Sequence, residues 1–180
     1  SHAGINFVDT ANIYGMGRCE EITGRWLASR RPQGVILATK ASIVNGPPRQ
    51  IRNDAAHLRT ELEGSLRRLG VEQVDLFYIH RRAADTPLED LVDTLQRLEI
   101  EGKIGGYGLS EVAPETLRQA HAMHPCRAGQ SEYSLWTRLP ELGLLQECQR
   151  LGVSFVAFSP LARGMLGDVP LRLDQVQDGF

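Results

Sequence analysis

The sequence has 180 residues, 42% hydrophobic and 23% charged, ordinary values for a soluble globular domain with a real core. A formal net charge of −2 gives no electrostatic case for nucleic acid or an anionic membrane surface. No apolar run approaches the ~18 residues that span a bilayer, and residues 1–15 lack the basic leader and apolar core of a signal peptide. Cys19, Cys126 and Cys148 are odd in number and scattered without metal-ligand spacing, so they read as reduced thiols of a cytoplasmic protein with no metal site.

The first element is the short apolar run Ile5, Phe7, Val8, which stops at Asp9 and reads as a strand over residues 5–9. Tyr14 follows five residues later, in a turn bounded by Gly15 and Gly17. A helix is expected over about 19–30. Glu20 and Glu21 lie in its first turn, where carboxylates suit the dipole, and Ile22, Trp26 and Leu27 form its apolar face. Pro32 and Gly34 end it. Val35 to Thr39 is a continuous apolar run with Lys40 at its end, the pattern of a strand buried on both faces. After the loop at 45–48, Leu58, Leu62, Leu66 and Leu69 recur at helical spacing, with Gly70 as C′ residue.

Val74 to Ile79 predicts the third strand, ending at His80. Thr86, Pro87 and Glu89 have the form of a capping box ahead of the stripe Leu88, Leu91, Leu95, Leu98, which Gly102 closes. A glycine-rich strand over 104–109 ends in Ser110, and Pro114 opens a helix to about Met123. A short strand over 126–130 ends in Gln130 and leads into a loop with Tyr133 and Trp136. Leu142, Leu145, Cys148 and Leu151 mark one more helix, and 153–158 the last strand, ending in Ser159 and Pro160. Residues 167–180 show no periodicity and read as loop or tail.

Six strands alternating with five helices imply right-handed βαβ units, a parallel sheet and an α/β fold in one domain over 1–166. A doubly wound open sheet and a TIM-type (β/α)8 barrel both fit that order. A barrel typically takes about 250 residues, so about six of its βα units are present and roughly two more lie outside this sequence.

Polar residues mark the C-terminal ends of all six strands: Asp9, Lys40, His80, Ser110, Gln130 and Ser159. Each alone has a plain structural reading: a turn cap for Asp9, a solvated charge for Lys40, a hydrogen-bonded histidine for His80, a rim residue for Tyr14. Together, an acid, a cation, a phenol and an imidazole on one barrel face suit proton transfer to a carbonyl oxygen during hydride addition. In that scheme Lys40 lowers the phenol pKa from its usual ~10, Asp9 keeps Lys40 charged, and His80 shares a proton with the carbonyl oxygen. The hydride has to come from a cofactor.

Asp9, Tyr14, Lys40 and His80 resemble the catalytic tetrad of the aldo-keto reductase superfamily. The stretches GINFVDTANIYG, ILATK, LRRLGVEQVDLFYIH, GKIGGYGLSE, QSEYSLWTR and FSPLARGML resemble it too, closest to bacterial and plant members with GLSE and QSEYSLW. The resemblance reaches to about Leu166. It implies a (β/α)8 barrel binding NADPH without a Rossmann motif, and reduction of aldehydes or ketones with Tyr14 as general acid. Ser110 and Gln130 are then expected on the nicotinamide carboxamide and Phe158 under its ring, where relatives often have Tyr. Ser159, Pro160, Leu161 and Gly164 are expected along the pyrophosphate, with Arg163 either adding charge there or solvated. Glu111 stands where many relatives have Asn, which speaks against a direct cofactor role. Tyr133, Trp136, Ile43 and Val44 are candidates for the pocket of a small carbonyl substrate, and Arg81 and Arg82 either attract an anionic group or are solvated.

The family barrel has an upstream strand and helix and an eighth strand that this sequence lacks, so a piece of a longer chain or a truncated product is expected. Two other functions stay open: a cofactor-binding regulatory subunit related to channel β-subunits, and an inactive truncated barrel. The preference for NADPH over NADH, the physiological substrate and the choice between monomer and homo-oligomer are not written in the visible residues.

Overall fold

The computed structural model describes residues 4–30 and 33–169. Six strands form one sheet: β1 (Phe7–Asp9), β2 (Ile36–Ala41), β5 (Leu76–Ile79), β6 (Tyr107–Ser110), β7 (Ala128–Glu132) and β8 (Ser154–Phe158). Their order in space is their order in the chain, and every neighbouring pair is parallel. Between them run α1 (Arg18–Arg30), α2 (Ala55–Leu69), α3 (Leu88–Ile100), α4 (Pro114–Met123) and α5 (Leu144–Leu151). The tail read as loop lies outside the described residues from position 170 onward.

A doubly wound sheet reverses its strand order at a switch point, whereas this one never reverses. The sheet also curls. Gln130 on β7 donates from Nε2 to Asp9 Oδ2 at the end of β1, 3.2 Å away. Four strand spacings of about 4.8 Å would hold those strands about 19 Å apart in a flat sheet. The sheet is therefore part of a (β/α)8 barrel.

Alternation along each strand sorts side chains between two faces. Leu37, Phe77, Ile79 and Leu109 face the helices and pack with the stripes Leu58/Leu62/Leu66/Leu69 and Leu91/Leu95/Leu98 in the main core. Phe7, Ala38, Leu76, Tyr78 and Ala128 form a smaller inner cluster. Tyr78 is wholly buried there because Gly108 on β6 makes room: a Cβ on Gly108 would stand 2.5 Å from the Tyr78 ring.

Four local expectations need correction. In α1 the buried residues are Glu20 and Gly24, with Leu27 partly buried, while Ile22 and Trp26 are exposed. Gly24 lets α1 lie against the C-terminal turn of α2, so the inward face is set by close backbone approach rather than by the largest apolar side chains. Next, the segment after β2 is not only loop: β3 (Ile43–Val44) and β4 (Gln50–Ile51) pair as an antiparallel hairpin. The Thr86 hydroxyl does not cap α3 but bonds Asp85. Leu142 belongs to a 3-10 turn ahead of α5 and is exposed, so the inward face of α5 is Leu144 and Cys148.

Candidate active site

Four of the six strand-end residues keep the inward parity of the small inner cluster: Asp9 follows Phe7, Lys40 follows Ala38, His80 follows Tyr78, and Gln130 follows Ala128. Ser110 and Gln130 are register partners on neighbouring strands. The sheet thus gathers these side chains at one end of the barrel interior.

Lys40 is wholly buried. Its Nζ donates to Asp9 Oδ1 at 2.8 Å and to the Thr10 carbonyl at 2.9 Å. The same ammonium lies 5.0 Å from the Tyr14 ring centroid. His80 meets the Tyr14 ring edge-on, with centroids 5.7 Å apart and planes at 84°. Asp9, Tyr14, Lys40 and His80 therefore form one cluster, tied to Gln130 through the second Asp9 oxygen.

Electrostatics assigns protonation states. Burial raises the Tyr14 pKa above the ordinary phenol value, and the Asp9 charge raises it further, with Arg81 opposing. The expected lowering by Lys40 is therefore not the net result. Its charge is held against Asp9, and loss of water around the phenol dominates. Tyr14 is thus a protonated donor at neutral pH. Burial lowers the Lys40 pKa, and its bond to Asp9 opposes the shift. His80 is pushed down to about 3 by burial, then by the Lys40 and Arg81 cations, so its imidazole is neutral. Its Nδ1 has no hydrogen-bond partner among the described residues.

The loop after His80 is held from below. Ser42 Oγ accepts from the Arg81 amide at 2.8 Å, and buried Asn53 donates to the Arg81 carbonyl and accepts from the Ala83 amide. The Arg81 side chain turns inward. Its Nη1 donates to the His80 carbonyl at 2.6 Å and to Ser110 Oγ at 3.2 Å, and its guanidinium lies 5.9 Å from the Phe158 ring centroid. Among the described residues, Arg82 reaches only the Thr86 carbonyl.

The β8 end runs into an irregular turn in which Ser159, Ala162 and Arg163 have positive φ, between Pro160, Leu161 and Gly164. Arg163 pairs with Glu132. Glu111 accepts from Ser131 Oγ and the Glu132 amide, a structural use of that side chain. Tyr133 donates to Glu141 and meets Phe155 edge-on. Trp136 is exposed in a shallow depression of about 490 Å³ with Arg138, Leu139 and Leu142, a lining that contains none of the four clustered residues.

Reasoning from sequence passed over several residues around this cluster: Asn12, Thr39, Glu61 and Arg68, and the inward role of Glu20. The available signal was glycine inside helices. Gly24 and Gly64 each cost about 1 kcal/mol relative to Ala in a helix, which flags close packing.

Among the described residues, no helix is long and apolar enough to cross a membrane, and no His/Cys/Asp/Glu group is arranged for a metal ion. The aldo/keto reductase family model matches residues 1–178. A probable aldo-keto reductase 1 of Glycine max is 41% identical over 166 residues, 91% of this chain and 48% of the relative. The holo form of the Bacillus halodurans aldo-keto reductase AKR11C1 superposes with a TM-score of 0.86 at 31% identity, covering 96% of this chain and 58% of that one. A Klebsiella pneumoniae aldo-keto reductase in complex with NADPH superposes with a TM-score of 0.79 at 31% identity, covering 93% and 57%. The chain thus spans about half the length of the relatives it matches.

Proposed function

Because the chain belongs to the aldo/keto reductase family, we propose that it carries the catalytic face of an NADPH-dependent reductase of aldehydes or ketones, acting between CH–OH and carbonyl groups. One observation carries the reading: a fully buried Lys40, paired with Asp9, beneath a Tyr14 ring that also meets neutral His80. That arrangement is costly to bury and has no structural need for the phenol.

The residues present suit a nicotinamide cofactor. Ser110 and Gln130 are adjacent hydrogen-bonding groups for a carboxamide, Phe158 offers an aromatic face, and the left-handed turn over 159–164 suits backbone contact with phosphate. When bound, the nicotinamide supplies the hydride. Tyr14 then donates its proton to the carbonyl oxygen; the Lys40 ammonium stabilises the phenolate that forms, and Asp9 holds that ammonium in place. His80 orients the carbonyl through a neutral imidazole N–H. NADPH is chosen over NADH on the strength of the Klebsiella pneumoniae relative. Tyr133 and Trp136, in the loop after β7, are the candidates for the substrate side.

The test is Tyr14→Phe in the natural full-length protein, assayed with a panel of aldehydes and ketones. The expected result is a fall in kcat of about 10²–10⁴-fold with NADPH binding retained. Unchanged reduction would overturn the role of Tyr14. Tight cofactor binding without turnover in the unaltered protein would favour a binding subunit instead.

A further inference from the structure

Tyr14 stands on irregular backbone. Gly15, Met16 and Gly17 follow it at φ of 55°, 56° and 90°, three left-handed residues in succession. A general acid needs a fixed position. Within this turn the described residues supply short backbone bonds such as Tyr14 N–H to the Ala11 carbonyl, and Asn45 Nδ2 donates to Met16 Sδ at its exposed tip. Buried side-chain restraints sit at its two ends.

Upstream, the Asn12 amide donates to the Lys40 carbonyl at 3.1 Å, and Asn12 Nδ2 donates to Glu61 Oε2 at 2.6 Å. Downstream, Glu20 is wholly buried in the first turn of α1. It accepts from Thr39 Oγ1 at 2.5 Å and pairs with Arg68 Nε at 2.7 Å. Thr39 is the residue before Lys40, and Arg68 also reaches Ser65 Oγ.

Both anchors therefore end on α2. Glu61 and Arg68 are seven residues apart, two helical turns, so they share one face about 10 Å apart. Gly64 lies between them: a Cβ there would stand 3.0 Å from Arg68 Nη1. A Cβ on Gly17, in the Tyr14 turn itself, would stand 2.9 Å from Arg68 Cδ. The Arg68 side chain thus runs through a channel bounded by two glycines, one in the helix and one in the turn it restrains.

We propose that the Glu61–Gly64–Arg68 face of α2 is a clamp that grips the Tyr14 turn at both ends, through Asn12 and Glu20, and sets the phenol over Lys40. Glu20, Glu61 and Arg68 are positioning residues: none touches the reacting atoms. The catalytic part of the inference rests on the proposed role of Tyr14, while the clamp itself does not.

The experiment pairs amide hydrogen exchange with steady-state kinetics in the natural full-length protein. Glu61→Ala releases the upstream anchor and leaves the buried Glu20 pair intact; Glu20→Gln weakens the downstream one. Each is expected to speed exchange of amides 14–17 at least tenfold while the central amides of α2 keep their protection. Each is expected to lower kcat by up to about 10²-fold with KM for NADPH unchanged, the scale of a misplaced catalytic group. Glu61→Gln keeps an acceptor for Asn12 and should restore both readouts. Arg59→Ala, also on α2, breaks an exposed pair with Glu101 at the end of α3 and should change neither. Unaltered exchange at 14–17 in Glu61→Ala and Glu20→Gln would overturn the clamp, as would exchange that rises equally throughout α2. If the unaltered protein reduces no carbonyl, the functional reading fails, and exchange alone decides the clamp.

Discussion

Replacing Asp9 by Asn isolates the energetics of the buried pair. Lys40 Nζ is fully buried and has two acceptors, Asp9 Oδ1 at 2.8 Å and the Thr10 carbonyl at 2.9 Å. The substitution leaves a buried ammonium with neutral partners only. Breaking a buried pair costs 3–5 kcal/mol, and the Asp9 side chain keeps 29% of its exposure, which places this case at the low end, about 3 kcal/mol. With an m-value of about 2 kcal/mol/M, the urea midpoint should fall by about 1.5 M.

The pH dependence has a definite sign. The folded-state pKa of Lys40 already lies below its unfolded value. Between the two, the unfolded chain holds more protons, so stability rises with pH in that window. Removing Asp9 lowers the folded pKa further and opens the window at lower pH, so the deficit of Asp9→Asn narrows as pH rises into the alkaline range. Asp9→Asn/Lys40→Met, which removes both charges, should recover most of the loss. Urea unfolding across pH 6–10 reads all three. A neutral-pH deficit under about 0.5 kcal/mol, or one that grows with pH, would refute the reasoning.

His80, held near 3 in the folded state, should show no imidazole titration by NMR between pH 5 and 8. Its contribution to stability is present above the unfolded value of ~6.5 and is lost as pH falls from there toward 3, with a slope of up to about 1.4 kcal/mol per pH unit; a His80 titration centred near 6.5 would contradict this. Gly24→Ala should destabilise by about 1–3 kcal/mol although Ala is the better helix former, because the new Cβ would stand 2.5 Å from the Arg68 carbonyl oxygen and 2.8 Å from that of Leu69. Thermal unfolding should show a drop of about 2–4 °C per kcal/mol, and a rise in Tm would mean that α1 and α2 are not in such close contact.

The main elements were legible because they are periodic. Apolar runs alternate with leucine stripes, and each run ends on a polar residue. Once the strands are parallel and the sheet curls, parity alone aims Asp9, Lys40, His80 and Gln130 inward. The β3–β4 hairpin escaped notice because two-residue strands are too short for a period to register. The expected effect of Lys40 on Tyr14 fails for another reason: the sequence points to the Asp9–Lys40 pair, which the structure contains, but not to the loss of water around the phenol, which raises its pKa the most.

The misreading of α1 is the most instructive. Local pattern places Ile22 and Trp26 inside and gives Glu20 only a dipole role, whereas the structure exposes the first two and buries Glu20. Glu20 is inside because its partner, Arg68, arrives from 48 residues away, and a helical pattern holds no record of such a partner. What the sequence does carry is the means of approach: glycine at 17, 24 and 64, each at a point where a Cβ would meet Arg68. Here a charged residue near the start of a helix, with glycines in two helices that pattern alone would fill with Ala, marks a buried ion pair. In this chain the sign falls beside Tyr14, the residue whose position the proposed chemistry most depends on.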